Sequence, residues 1–493
     1  MTFVAGAGVR DAGSAAGNAA GNAAGSAAGN ASRSYWCDMV VIDHTDGSDN
    51  SAAAMTDGVT ERVTIELASG RISSIMPNTQ QPVGSTHLRG LTVAGFANAH
   101  SHGFHRALRG RTQAGNRSFW TWRDVMYRAA ERLDPDRYFR LARATFGEMA
   151  LAGVATVGEF HYVHHQPDGT PYQDPNAMGA AVLAAAAEAG VRITLLDTLY
   201  LHGGMAGGSY AQPTGVQVRY SDRSANAWVE RVGLLASDMN EHTQRPGAEI
   251  HSVRAVDPES MVTLAEWADA TGAPVHAHLS EQPAENEHCL ELHGLTPTEL
   301  FARAGLVGER FTAVHATHLT QADIEVLGTG GSLVCVCPTT ERDLGDGIGP
   351  TVELASAGVT LCLGSDSHAV IDMLEEARAL ELNERLRSLH RGNHSVASLL
   401  RMATINGHAS LGWQDAGAIR VGNRADLTTI ALGSVRTAGA TPATALDAAI
   451  FAATARDITS VLIDGNEIVI GGRHSTIDVA AELQSSIHDL FGD

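Results

Sequence analysis

The chain contains no lysine, so all 34 basic residues among its 493 are arginine. The absence excludes every mechanism that needs a lysine amine: a Schiff base, a lysine carbamate that bridges two metal ions, and the lysine of a phosphate-binding loop. A GC-rich genome that avoids lysine codons is the simplest cause. The chemical exclusion holds whatever the cause.

Cysteine is also scarce, and the five cysteines lack the spacing of a zinc finger. Cys335 and Cys337 lie in an apolar run, so buried free thiols are expected, which favours a reducing cytoplasm. No apolar run reaches the roughly 18 residues of a membrane span, and the N-terminus lacks the residue order of a secretory signal. We therefore expect a cytoplasmic protein without a membrane partner.

Acidic residues outnumber basic ones, and the formal net charge is −21. This charge argues against a nucleic-acid partner and gives no general attraction for an anionic substrate. Any anion must therefore be bound by local groups.

Residues 1–34 consist largely of alanine, glycine, asparagine and serine, and an Ala-Ala-Gly-Asn pattern recurs between Ala15 and Asn30. Such a composition cannot bury enough apolar area to offset the entropy of ordering. We predict a disordered tail without a role in function.

Short β-like segments stand near both ends of the remaining chain. One group runs from Trp36 to about Val93, and a matching group returns late in the sequence. The two groups are expected to pair into a small β-sandwich domain formed from residues 35–93 and 413–475, followed by a C-terminal helix over 476–493.

The middle of the chain, residues 94–412, alternates strand-like and helix-like runs, the pattern of parallel β/α units. This pattern predicts an α/β fold with a (β/α)₈ TIM-type barrel, whose chemistry gathers at the carboxyl ends of the strands. The eight predicted strands are Leu91–Ala97, Ala155–Glu159, Arg192–Leu196, Glu249–Val253, Pro274–His278, Phe311–Ala316, Ser332–Cys337 and Val359–Gly364.

Polar, titratable residues recur at the ends of these strands. Strand one leads to His100 and His102, and alternation along a strand points both imidazoles to the same side. Strand five ends at His278, and strand eight is followed by Asp366. Three imidazoles and one carboxylate suit Zn²⁺, although Fe²⁺ or Mn²⁺ would fit the same set. Zinc would lower the pKa of a bound water toward about 7 and so supply hydroxide.

Three further residues at the same rim are candidate catalytic groups. Glu281, just past strand five, would pass the proton of the water to a departing nitrogen, unless it is a surface glutamate at the next helix start. His315, at the end of strand six, would hydrogen-bond the water or the tetrahedral centre, or would simply pack. Asp366 would accept a proton while it touches the metal.

These residues and the segments around them resemble the amidohydrolase superfamily, in its mononuclear deaminase branch. Members with two metals typically bridge them with a carbamylated lysine, so the resemblance implies one metal ion here. Within the superfamily the chain is similar to the formimidoylglutamate deiminases of bacterial histidine breakdown, from about Trp36 to Arg473. The similar segments are Asn98–His102, Ser118–Arg128, Val157–His165, His251–Val256, Val314–His318, Cys337–Glu341, Leu344–Ile348 and Gly364–His368.

The resemblance implies hydrolysis of N-formimidoyl-L-glutamate to N-formyl-L-glutamate and ammonia. It places Arg123, Tyr162, His251 and Arg254 at substrate-binding positions, where the arginines would bind the two substrate carboxylates. It also implies a homodimer. One departure concerns His105, which stands where the family usually has glutamine, so the paired donor and acceptor of an amide are lost there.

Three alternatives stay open at this point. An aminohydrolase of a ring amidine, such as guanine or an adenosine derivative, would use the same metal and Glu281, although the two arginines favour a dicarboxylate. A metal-binding barrel without catalysis fits poorly with the intact set of Glu281, His315 and Asp366. Trp120 and Trp122 would either form a lid over the site or pack their own loop.

Overall fold

The protein is described by a computed structural model over residues 33–43, 58–113 and 119–492, excepting the side chains of residues 119–121 and 206. The predicted tail thus lies outside the described residues up to residue 32, and Arg33 already belongs to the first strand. The side chain of Trp120 also lies outside them, so its predicted role stays a prediction.

Strands and helices alternate through the middle of the chain. The strands of the described residues are β1 (Arg33–Val41), β2 (Val59–Ala68), β3 (Arg71–Met76), β4 (Thr86–Ala94), β5 (Phe96–Ser101), β6 (Val154–His161), β7 (Arg192–Leu199), β8 (Gly204–Ala206), β9 (Ser209–Ala211), β10 (Gln244–Ile250), β11 (Val275–Leu279), β12 (Phe311–His315), β13 (Leu333–Val336), β14 (Thr360–Leu363), β15 (Leu427–Ile430), β16 (Ile458–Ile463), β17 (Asn466–Ile470) and β18 (Arg473–His474).

At least one helix separates each barrel strand from the next, and further helices follow β14. The α-helices of the described residues are α1 (Phe119–Arg132), α2 (Pro135–Leu151), α3 (Ala177–Ala189), α4 (Ala225–Asp238), α5 (Pro258–Thr271), α6 (Pro283–His293), α7 (Pro297–Arg303), α8 (Gln321–Gly330), α9 (Pro338–Leu344), α10 (Thr351–Ser356), α11 (Met373–Ser388), α12 (Val396–Ala403), α13 (Ile405–Ser410), α14 (Ala445–Phe451) and α15 (Val479–Phe491). Short 3₁₀ helices cover Gly103–Leu108, Gly215–Tyr220, Pro442–Thr444 and Ala455–Asp457.

The barrel consists of eight parallel strands whose spatial order follows the chain, namely β5, β6, β7, β10, β11, β12, β13 and β14. A parallel bridge between Ser101 and Asp366 joins the end of β5 to the segment after β14, so the barrel is nearly closed at its carboxyl end. The predicted (β/α)₈ barrel is confirmed. Its carboxyl ends bring together residues that lie far apart in the sequence.

The two ends of the chain form a separate eight-stranded sheet, as predicted. Its centre is the antiparallel pairing of β4 with β15, in which Leu427 lies opposite Ala94 and Ile430 opposite Leu91. Buried side chains of both segments, such as Val63 and Leu462, pack in one cluster on this sheet. The division of the chain at residues 93 and 413 stays a prediction.

The first predicted strand is wrong in its bounds. Leu91–Ala97 is one apolar run in the sequence, but β4 ends at Ala94 and β5 begins at Phe96. Gly95 separates them, and only glycine fits there, because a Cβ would lie 2.7 Å from the Cβ of Ala155 and 3.0 Å from that of Asp426. The run therefore serves two sheets, which hydrophobicity alone could not distinguish.

The five cysteines form no disulfide bonds. All five cysteines are buried and free, which confirms the prediction from their spacing. None of the helices in the described ranges combines the length and the apolar character that crossing a membrane requires.

A buried ion pair joins the barrel to the terminal sheet. Arg192, at the start of β7, donates two hydrogen bonds to Asp426, which precedes β15, and it lies 3.2 Å from Asp464. Burial works against charge on both partners, yet their mutual attraction raises the pKa of Arg192 and lowers that of Asp426. Neither residue is exposed, so either charge would be costly without the other.

We expect Asp426→Ala to lower the free energy of unfolding by roughly 3–5 kcal/mol, because it leaves the buried guanidinium of Arg192 poorly paired. Urea unfolding followed by circular dichroism measures the change. The control is Asp269→Ala, which removes the partner of Arg310 in a pair with exposed side chains and should leave stability nearly unchanged. Equal effects of the two substitutions would contradict the anchoring role.

Candidate metal centre and active site

Two short segments dock against each other where the barrel closes. The amide of Asp366 donates to the carbonyl of His100 over 3.0 Å, and the amide of His102 donates to the carbonyl of Asp366 over 3.1 Å. The side chain of Asn98 donates to the hydroxyl of Ser365 over 2.7 Å and accepts from the Ser365 amide over 2.9 Å. The backbone of the predicted ligands, together with Asn98 and Ser365, thus holds the two ligand segments in register.

The close approach of these segments requires Gly364. A Cβ at this position would lie 2.8 Å from the Cβ of His100 and 2.9 Å from its carbonyl oxygen. Asp366 and His315 have positive φ angles of 44° and 69°, a backbone region that residues other than glycine rarely adopt. Such strained backbone is concentrated at functional sites, where the surrounding structure enforces it.

The structure brings His100, His102, His278 and Asp366 together, with one ligand atom from each within 4.8 Å of the others. Nε2 of His100 lies 3.1 Å from Nε2 of His278, and Nε2 of His102 lies 3.2 Å from Oδ1 of Asp366. All four side chains are buried at the carboxyl end of the barrel. The group has the donor set and spacing for a divalent cation.

The electrostatics of the four groups suit metal binding. Burial lowers the pKa of His100 to about 3, and burial together with the neighbouring imidazoles holds that of His278 well below its usual range. Burial opposes charge on Asp366, but the neighbouring His100 and His102 hold its pKa well below the usual value. His100 and His278 are therefore neutral imidazoles beside a carboxylate, which are the protonation states that ligate metals.

Glu281 lies beside this group and is paired with an arginine. Nη2 of Arg254 donates to Oε2 of Glu281 over 3.3 Å, and Nε of Arg254 lies 3.5 Å from Oε2 of Glu285. Burial works against charge on Arg254, but Glu285 and Glu281 raise its pKa. One arginine therefore stands next to the predicted proton shuttle.

His315 faces the ligand group from β12. Its Nε2 lies 3.8 Å from Oδ2 of Asp366, and its Nδ1 lies 3.4 Å from Oε1 of Glu341. Burial alone would lower the pKa of His315, but the hydrogen bond with Glu341 and the charges of Glu281 and Asp366 raise it to about 10. His315 is therefore an imidazolium that can donate a hydrogen bond toward the ligand group.

His105 follows the ligand segment in a 3₁₀ helix and is buried. Its ring stacks on that of His102 with centroids 4.4 Å apart, and its Nε2 lies 2.9 Å from the hydroxyl of Tyr162. The ring of Trp122 meets it edge-on at 5.2 Å. His105 thus connects the predicted ligand His102 to Tyr162, the tyrosine predicted to bind substrate.

The predicted substrate-binding residues lie around two further tyrosines. Arg123 lies over the ring of Tyr127 at 5.4 Å, and both Arg123 and Arg254 act electrostatically on Tyr127 and Tyr200. His251 packs edge-on against Tyr200 with centroids 4.8 Å apart. The two arginines therefore act on the same pair of tyrosines.

The sequence interpretation gave no role to several acidic residues of the site. Glu341 and Asp346 stand in segments that carry the resemblance, yet only the structure shows Glu341 against His315 and Asp346 accepting a hydrogen bond from Gln282. Glu285 lies four residues after Glu281, in the first turn of α6, and this spacing could have indicated that it also faces the site. Glu249 lies on β10 and is fully buried, which the sequence pattern did not indicate.

A second group of possible ligands comprises His161, His164 and Asp197. Asp197 already accepts hydrogen bonds from Arg231 over 2.6 and 2.9 Å and from Trp228 over 2.9 Å. This carboxylate is satisfied by protein donors, so the group is interpreted as a structural network.

Comparison with known proteins agrees with this architecture. The model of the amidohydrolase family matches residues 91–468. The chain is 34% identical to the formimidoylglutamate deiminase of Pseudomonas aeruginosa, over 86% of this chain and 94% of that enzyme. It is 28% identical to the 8-oxoguanine deaminase of the same organism, over 84% of this chain and 90% of that one.

Solved structures share the fold. A crystal structure of an amidohydrolase from Brucella melitensis superimposes with a TM-score of 0.83 at 30% identity, covering 93% of this chain and 99% of that one. An adenosine deaminase from Xanthomonas campestris with bound zinc gives a TM-score of 0.77 at 22% identity, covering 92% and 97%. The chain is a hydrolase that acts on C–N bonds, and it belongs to the amidohydrolase family.

Proposed function

We propose that this hydrolase converts N-formimidoyl-L-glutamate and water to N-formyl-L-glutamate and ammonia. The observation that carries the proposal is the position of Arg254, which is 3.3 Å from Glu281 and shares its tyrosine neighbours with Arg123. Two guanidinium groups beside a candidate hydrolytic centre suit a substrate with two carboxylates. The 34% identity to a formimidoylglutamate deiminase supports the same substrate.

We propose Zn²⁺ as the metal, held by His100, His102, His278 and Asp366. Three nitrogen ligands and one oxygen ligand fit zinc, and the adenosine deaminase of the same fold contains zinc. When bound, the ion would acidify a water so that a nucleophile is available at neutral pH.

The remaining steps belong to the chain's own side chains. Glu281 would take the proton that the attacking water loses and deliver it to the amidine nitrogen that departs as ammonia. His315, an imidazolium beside Asp366, would donate a hydrogen bond to the oxygen of the tetrahedral centre. Asp366 would take the second proton, from the hydroxyl of the tetrahedral centre, and pass it to the same nitrogen, so that the departing ammonia carries both protons of the water.

Substrate orientation would depend on five residues around the centre. Arg254 and Arg123 would each bind one carboxylate, and Tyr162 and His251 would line the path between them. His105 holds the hydroxyl of Tyr162, so in this protein it would act on the substrate through that tyrosine as well as directly. The family usually has a glutamine in place of His105, and the hydrogen-bonded pair of His105 and Tyr162 would partly replace the hydrogen bonds of that glutamine amide.

A ring aminohydrolase is the second candidate, because the 8-oxoguanine deaminase is 28% identical to this chain. A planar purine carries no carboxylates, so it would leave two guanidinium groups without partners. The homodimer, the cytoplasmic location and the role in histidine breakdown stay predictions.

Ammonia release from three substrates separates the candidates. We expect the zinc-loaded protein to prefer N-formimidoyl-L-glutamate over guanine and adenosine by on the order of 10⁴-fold in kcat/KM, because the purines leave the arginines unpaired. A coupled glutamate dehydrogenase assay measures ammonia. A preference for a purine would support the second candidate, and no ammonia from any of the three, with zinc bound, would indicate an inactive barrel.

Substitution of Glu281 tests the proton shuttle. Glu281→Gln should retain the metal and lower kcat by about 10²–10⁴-fold, since the amide cannot carry the proton. Steady-state kinetics and metal analysis are made on the same sample. Glu291→Gln, on the exposed side of α6, is the matched control and should have wild-type kinetics. Substantial turnover by the Glu281 variant would remove the shuttle role.

Substitution of Arg254 tests the carboxylate site. We expect Arg254→Met to raise KM for formimidoylglutamate about 10–100-fold, because charge-assisted hydrogen bonds worth roughly 1.5–3 kcal/mol are lost. Arg254→Lys should lie between this variant and the wild type, since lysine keeps the charge but not the planar fork. N-butylformamidine, which has no carboxylate, is the control substrate. An equal loss with both substrates would exclude carboxylate recognition.

A further inference from the structure

Glu249 is a buried carboxylate to which the proposed reaction assigns no role. It lies on β10, points into the barrel and has no exposed surface. Within the described part of the chain, neither of its carboxylate oxygens has a hydrogen-bond partner. A buried polar group without hydrogen-bond partners is unfavourable, so the residue calls for a partner that the static contacts do not supply.

The nearest candidate donor is a ring nitrogen of a proposed metal ligand. Nδ1 of His100 lies 3.9 Å from Oε1 of Glu249 and, among the described residues, also has no hydrogen-bond partner. The other ring nitrogen of His100 faces the proposed centre, 3.6 Å from Oδ1 of Asp366 and 3.1 Å from Nε2 of His278. His100 is therefore placed between the centre and Glu249.

His278 shows what such an arrangement achieves in this site. Its Nδ1 donates to the carbonyl of His251 over 2.9 Å, and because the proton is on Nδ1, the lone pair of Nε2 can coordinate a metal. His100 is the ligand imidazole with a carboxylate in the equivalent place. A carboxylate behind a ligand imidazole fixes the tautomer and raises the basicity of the coordinating nitrogen.

We propose that Glu249 is a positioning residue that accepts a hydrogen bond from Nδ1–H of His100 and so holds Nε2 of His100 toward the metal. A separation of 3.9 Å exceeds a hydrogen bond of about 2.9 Å, so the bond forms when the two side chains move together on metal binding. The inference rests on the proposed metal centre and not on the identity of the substrate.

The test compares metal affinity in Glu249→Leu, Glu249→Gln and the wild type. Each full-length protein is stripped with a chelator and titrated with Zn²⁺ against a fluorescent chelator. We expect Glu249→Leu to weaken zinc binding about 10–100-fold, the usual effect of losing such a partner. Glu249→Gln should fall between, because its amide oxygen still accepts a hydrogen bond.

Two further measurements separate positioning from a structural role. In zinc-loaded protein labelled with ¹⁵N-histidine, the Nδ1 proton of His100 should resonate at low field and move upfield in Glu249→Gln. Thermal unfolding of the stripped proteins should show the variants at least as stable as the wild type, since a buried unpaired carboxylate has been removed. A structural residue would give the opposite pattern, with lower stability and unchanged zinc affinity.

Glu384→Gln provides the matched control, because Glu384 is also a buried glutamate but pairs with Arg387 on α11. This variant should bind zinc like the wild type. Wild-type zinc affinity in Glu249→Leu, with an unchanged His100 resonance, would overturn the inference. Failure of the wild-type protein itself to bind zinc would instead overturn the proposed metal centre on which the inference rests.

Discussion

The structure depends on the docking of Asn98–His102 against Gly364–His368, where the first and last barrel strands meet. Backbone hydrogen bonds between His100, His102 and Asp366 close the barrel, and the same three residues supply proposed ligands. The contacts that close the barrel are thus the same contacts that bring the proposed ligands together. Gly364 permits it, because any side chain there would collide with His100.

Around this seam, the arginines are held by neighbouring carboxylates, and the net charge of the whole chain does not determine the local charge. The chain has a net charge of −21, yet two arginines, Arg254 and Arg123, both act electrostatically on Tyr127. Arg254 is held by Glu281 and Glu285, and these carboxylates keep it charged despite burial. A substrate carboxylate would therefore meet a cation already oriented by the protein, which reduces the entropy lost on binding.

Much of the fold followed from residue patterns. Eight apolar runs separated by helix-like segments predicted the barrel, and β-like runs at both ends predicted the second sheet, because strand and helix periodicities are local properties. The failure at Leu91–Ala97 has a definite cause. Gly95, where the chain passes from one sheet to the other, packs against Ala155 and Asp426, which are distant in sequence, so no window around residue 95 contains the information.

The sequence by itself determined which side chains stand at strand ends, since alternation along a strand and the polarity of parallel β/α units place His100, His102, His278 and Asp366 at one rim. Only the tertiary structure decided which groups touch. His315 on β12 pairs with Glu341 on α9, and Glu249 on β10 lies behind His100 on β5, so both contacts join separate elements of the chain. Contacts of this kind depend on barrel closure and side-chain packing, which no local pattern encodes.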